Sequence, residues 1–91
     1  MNEGLPGNEL IELGVRDLTE GRETIEALLV AVGAPRLKRL GIDLPDELPD
    51  NPEHRLYALL ERDGSDSAHS RYNALIRRLV SFERAAECVK E

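Results

Sequence analysis

The sequence contains no tryptophan, one cysteine, and only three aromatic residues among its 91. The single cysteine, Cys88, excludes an internal disulfide framework and a cysteine-based zinc site. No run reaches the roughly 18 apolar residues of a membrane span, and the first residues lack the basic and apolar regions of a secretory signal. From these absences we expect a cytoplasmic protein that does not bind membranes.

Motifs that carry common enzyme chemistry are also missing. The chain has no glycine-rich phosphate loop, no nucleophile elbow and no paired carboxylates in an apolar setting. A helical domain of this size also leaves little room for a pocket of enzymatic volume. The sequence therefore predicts no enzymatic activity, no cofactor and no small-molecule substrate.

The two histidines, His54 and His69, are the only side chains that ordinarily titrate near neutral pH. Each falls near the start of a predicted helix, and they could approach each other with Asp63, Asp66 or Glu53 to form a metal site. No metal-binding motif supports this arrangement, and such histidines are more often exposed first-turn residues. We expect no metal, and a metal-dependent enzyme is the least favoured alternative.

The charge is negative overall but unevenly distributed. The formal net charge is −6 and the sequence pI is about 4.9, which argues against bulk electrostatic binding to nucleic acid or anionic lipid. Segments 1–34 and 46–70 are acidic, whereas 35–45 and 71–91 carry a basic excess. These blocks either neutralise one another, within the fold or across a dimer, or leave a local basic face that binds something acidic.

The apolar composition favours helices. Leucine occurs fifteen times, isoleucine and valine together nine times, and no segment shows sustained strand-like alternation. We predict one all-α domain over residues 1–91, a compact bundle of four main helices plus one short helix. Residues 1–7 form a loose lead-in, and the proline-rich segment 42–51 forms a crossing loop.

The first two helices have clear boundary signals. Asn8 is the predicted N-cap of the first helix, and Gly21 ends it. Gly14 inside that helix implies close packing against another helix, because glycine otherwise destabilises a helix interior. A second helix starts near residues 22–23 and ends at Val32. Its segment 27–32 is apolar on every side and is therefore the predicted centre of the core.

Gly33 is predicted to cap the second helix in a left-handed conformation. A short third helix then runs from Pro35 to Leu40. Its three basic residues are expected to point outward, namely Arg36, Lys38 and Arg39. The fourth helix opens at Pro52 and ends in a turn over 63–66.

A long amphipathic helix, starting at Ser67 or Ser70, completes the chain. Apolar residues recur along it at helical spacing, and about twenty residues would span roughly 30 Å. This seam consists of Tyr72, Leu75, Leu79, Phe82, Ala86 and Val89, widened by Ile76.

The last helix also carries a stripe of arginines away from the apolar seam, formed by Arg71, Arg77, Arg78 and Arg84. This stripe could bind an acidic partner helix or the acidic segment 46–66 of a second copy. Alternatively, it could form salt bridges to the acidic first helix. We therefore expect a small non-enzymatic protein-interaction or regulatory module, whose partner is another protein or a second copy in a homodimer.

A different hypothesis places DNA binding in residues 22–41, which resemble a helix-turn-helix in spacing. Arg36, Lys38 and Arg39 would then lie on the helix that enters the major groove. That helix is only about two turns long and the rest of the chain is acidic, so this is the alternative. RNA binding is disfavoured because no aromatic side chain interleaves the arginines of the last helix.

Overall fold

A computed structural model describes residues 7–90, except for the side chains at positions 63, 65, 89 and 90. The helices are α1 (Asn8–Thr19), α2 (Ile25–Val32), α3 (Ala34–Arg39) and a helical stretch, Pro52–Lys90, which Gly64 divides into α4 (52–63) and α5 (65–90). The part of the chain that is described contains no strand. The predicted all-α fold of four longer helices and one short helix is confirmed.

α2 forms the centre of the core. Residues 27–30 have no solvent exposure, as their uninterrupted apolar sequence predicts. α2 packs against α1 on one side and against the stretch that contains α4 and α5 on another. It begins at Ile25, two to three residues later than expected, because Thr24 is the N-cap and its hydroxyl accepts a hydrogen bond from the amide of Ala27 at 3.1 Å.

The contact between α1 and α2 depends on a glycine. A Cβ atom on Gly14 would lie 2.4 Å from both the backbone oxygen of Glu26 and the Cγ2 atom of Val30. No residue with a side chain fits at that separation, so the prediction that Gly14 allows close helix packing is confirmed.

The start of α1 differs from the expectation by one residue. Gly7, at φ 78°, occupies the N-cap position, whereas Asn8 is the first helical residue and caps nothing with its side chain. A Cβ on Gly7 would lie 3.1 Å from the backbone oxygen of Arg78, so the start of α1 lies against α5. The remainder of the predicted lead-in, residues 1–6, lies outside the described residues.

The prediction of a left-handed cap at Gly33 is wrong. Its φ of −91° is accessible to any residue, unlike the φ of 92° at Gly41 after α3. Gly33 is instead tightly surrounded, because a Cβ there would lie 2.9 Å from Cδ1 of Leu79 and 3.0 Å from Oε2 of Glu83, so the ends of these two side chains would have to shift to admit one. The α2–α3 junction therefore sits directly against α5.

α4 and α5 fold back on each other at Gly64. The rings of Tyr57 and Tyr72 are 5.7 Å apart, whereas fifteen residues of continuous helix would separate them by about 22 Å. The predicted turn over 63–66 is wrong in extent, because only Gly64 leaves the helical conformation. The last helix accordingly starts before the predicted Ser67 or Ser70.

The core extends from α2 to the apolar seam of α5. Within that seam Leu79, Phe82 and Ala86 are buried, and the residues nearer Gly64 are partly buried; the side chain of Val89 lies outside the description. The proline-rich segment packs on the core through Ile42 and Leu44. Within residues 7–90, none of the helices has the length and apolar character needed to cross a bilayer.

Candidate interaction surface

Arg36 links α3 to α5 through two glutamates. Its Nη2 atom lies 2.6 Å from Oε1 of Glu87, and its Nη1 atom lies 3.5 Å from Oε1 of Glu83. The Nε–H of Arg36 also donates to Glu87 at 2.6 Å. Arg36 was expected to point outward, but its side chain is partly buried and turned towards α5.

Glu83 is one of the two charged residues buried within the described residues, with 4% of its surface exposed. Burial raises the pKa of Glu83 above its ordinary value, while the charge of Arg36 acts to lower it and that of Glu87 acts to raise it. Burial affects the pKa of Glu83 more than the neighbouring guanidinium does, so keeping this carboxylate charged costs free energy.

The three arginines Arg77, Arg78 and Arg84 form what we call the arginine face. All three are exposed, and among the described residues none of them forms an ion pair. The expected alternative, salt bridges from these side chains to α1, is therefore not formed. Arg71, the fourth residue of the predicted stripe, differs because it is half-buried and has an interaction partner within the chain.

Helical geometry places two members of this face, Arg77 and Arg84, opposite the core. Arg77 and Arg84 are one heptad apart, which puts them about 20° apart around α5 and about 10 Å apart along it. Arg78 lies about 100° further round, on the flank. Leu79 is buried on the opposite side, about 200° from Arg77.

The ion pairs formed by Arg22, Arg36 and Arg55 do not neutralise the acidic segments with the basic ones. Arg36 and its two glutamates all come from the basic segments, whereas Arg55 and its partner Glu23, at 2.5 Å, both come from the acidic segments. Arg22 pairs locally with Glu20. Among the described residues, these ion pairs do not join an acidic segment to a basic one.

The residues of the DNA-binding alternative are only partly available on the surface. Lys38 and Arg39 are exposed on α3, but Arg36 is compensated by glutamates and Arg39 also has a partner within the chain. α3 itself has only six residues. DNA binding through these three residues stays a prediction.

The histidines do not meet a ligand set in the described part of the chain. Nε2 of His69 lies 3.2 Å from Nδ2 of Asn73, its neighbour one turn along α5. No group of three or more potential metal ligands comes together among the residues described.

An apolar cavity was missed by the sequence analysis. It has a volume of about 390 Å³ and lies where α1, residues 41–43 and α5 meet. Its apolar walls are Ile11, Val15, Ile42 and Phe82. These residues come from three separate segments. The sequence shows the periodicity of each helix, but it does not show that the three segments come together.

The chain matches no protein-family model, and neither the curated proteins nor the solved structures provide a significant match. The structure itself shows an all-α fold in which α5 presents exposed arginines away from the core.

Proposed function

We propose that this protein is a small non-enzymatic interaction module that binds an acidic segment of a partner protein through the arginine face. One observation supports this most directly. The two glutamates within residues 71–90, Glu83 and Glu87, both turn to Arg36 on α3. The three residues of the arginine face, which are exposed on the same helix, form no ion pair with a carboxylate among the described residues.

Arginine suits this role chemically, because its planar guanidinium forms paired hydrogen bonds with a carboxylate. Each exposed contact contributes little, about 0.2–1 kcal/mol, so the face favours a transient complex. The net charge of −6 repels an acidic partner from most of the surface. The arginine face therefore sets the orientation of binding more than its strength.

The proposal includes a cytoplasmic location. Cys88 is a free, exposed thiol near the end of α5. Such thiols persist in a reducing compartment, whereas disulfides are the rule in oxidising ones.

The direct test is to titrate the full ¹⁵N-labelled chain with a glutamate-rich helical peptide and to map the amide shifts by NMR. We expect saturable shifts centred on residues 77–84. A short DNA duplex serves as the comparison ligand. Shifts that centre on residues 36–39 and appear only with the duplex would replace this proposal with the DNA-binding alternative.

Self-association is measured in the same samples by sedimentation velocity. A dimer whose formation is abolished by the acidic peptide would identify the acidic partner as a second copy. If the chain is monomeric and the peptide causes no saturable shifts, the proposal is wrong.

A further inference from the structure

The cavity between α1, residues 41–43 and α5 has the composition of a small-ligand site. Its volume of about 390 Å³ falls within the range of pockets that hold small organic molecules. Phe82 and Ile11 are buried in its walls, while Val15 and Ile42 are partly exposed to it. An apolar body of several carbon atoms would gain by transfer from water onto these side chains.

Both charged residues that line the cavity in the described part of the chain are acidic. Glu12 and Asp43 line it and are exposed, so their carboxylates lie where the cavity meets solvent. Neither of them forms an ion pair within the described residues, and none of the described residues that line the cavity is basic. Asn8 adds a carboxamide, which can hydrogen-bond to a ligand.

We propose that this cavity binds a small organic cation, namely an alkylammonium whose apolar chain contacts Phe82 and Ile42 and whose charged end meets Glu12 and Asp43. An anion of the same shape is repelled by the two carboxylates, and a neutral molecule gains only the apolar contacts. The site is separate from the arginine face, since it involves different residues and the opposite charge.

The test uses n-hexylammonium and the full ¹⁵N,¹³C-labelled chain, with binding followed by NMR. The expected result is saturable shifts centred on Ile11, Val15, Ile42 and Phe82. Hexanol and hexanoate provide the neutral and anionic comparisons, and methylammonium provides the charge without the chain. We expect all three to bind at least about tenfold more weakly than n-hexylammonium.

Two variants distinguish the effect of the carboxylates at the cavity from the effect of the net charge of the chain. Because Glu12 and Asp43 are exposed, Glu12→Gln/Asp43→Asn should fold normally and weaken n-hexylammonium binding by about tenfold. Glu61→Gln/Asp46→Asn removes the same charge from exposed positions away from the cavity and should change binding less than about twofold.

Equal binding of hexanol and n-hexylammonium, equal losses in the two variants, or shifts that fail to saturate would each overturn the proposal. If sedimentation velocity shows a dimer that n-hexylammonium dissociates, the natural occupant of the cavity is a second copy of the chain. The small-cation assignment would then be wrong. If an arginine-containing tripeptide bound more tightly than n-hexylammonium, the proposed occupant would be wrong as well. The cavity would then bind a basic side chain of a protein and not a free organic cation.

Discussion

Gly14 of α1 lies so close to Val30 of α2 that a Cβ on the glycine would stand 2.4 Å from the valine Cγ2 atom. The backbone oxygen of Glu26 is equally near, so the obstruction cannot be relieved by a side-chain rotation alone. Gly14→Ala should lower the free energy of unfolding by about 1–3 kcal/mol, although alanine is the better helix former by about 1 kcal/mol. Urea unfolding followed by circular dichroism measures this.

The matched control for Gly14→Ala is Glu12→Ala, an exposed position on the same helix. It should change the free energy of unfolding by less than about 0.5 kcal/mol. If Gly14→Ala were as stable as the original chain, the close approach of α1 and α2 would be wrong.

Thr24 connects the end of α1 to the start of α2. Its hydroxyl donates to Oδ2 of the buried Asp17 at 2.7 Å and accepts from the amide of Ala27 at 3.1 Å. Thr24→Val removes both hydrogen bonds and leaves Asp17 without this donor. We expect a loss of about 1–3 kcal/mol in the free energy of unfolding, measured by urea titration.

Thr19→Val is the comparison for Thr24→Val, since the Thr19 hydroxyl is exposed and donates only to the carbonyl oxygen of Val15. Its expected effect is within about 0.5 kcal/mol. Equal losses in the two variants would show that the Thr24 hydroxyl has no special part in starting α2.

Stability should depend on pH through Glu83. Burial raises its pKa in the folded state above the ordinary value of 4.5, so the folded chain binds this proton more tightly than the unfolded chain does. The resulting stabilisation is fully present below the unfolded pKa and is lost as the pH rises through the folded pKa. Relative to Glu83→Gln, the original chain should therefore lose stability as the pH is raised from about 4 to about 8.

Urea unfolding of both chains at several pH values measures this difference, and the titration of the other groups largely cancels. An original chain that gained stability over Glu83→Gln as the pH rose would show that Arg36 outweighs burial at this carboxyl.

Arg36 should matter more when Glu83 is charged. At pH 7, Arg36→Gln leaves a buried carboxylate without its guanidinium, with an expected loss of about 1–3 kcal/mol in the free energy of unfolding. The same change in a Glu83→Gln background should cost less, because that buried charge is already gone. A double-mutant cycle from urea unfolding tests the coupling, and strictly additive losses would contradict it.

Features that depend on neighbouring residues could be predicted from the sequence. The uninterrupted apolar segment 27–32 indicated a buried helix, and Gly14 indicated a close helix contact. Both predictions are confirmed because local periodicity and residue size determine them directly.

Features that depend on distant residues could not be predicted. Gly33 was predicted to be a left-handed cap, but its φ is −91° and the side chains that crowd it, Leu79 and Glu83, are more than forty positions away. Arg36 was predicted to be a surface residue because the sequence does not reveal its two partners, which lie 47 and 51 positions further along the chain. The apolar cavity was likewise not visible in the sequence, because the three segments that line it come together only after folding.

The most direct test of the interaction proposal is the affinity of the full chain for a glutamate-rich helical peptide, measured by isothermal titration calorimetry. Arg77→Gln/Arg78→Gln/Arg84→Gln removes the arginine face, and Arg16→Gln/Lys38→Gln/Arg62→Gln removes three positive charges from other exposed positions. We predict that the first variant binds at least about tenfold more weakly and that the second changes affinity less than about twofold. Equal losses of affinity in the two variants would contradict the proposal, because binding would then follow net charge rather than this surface.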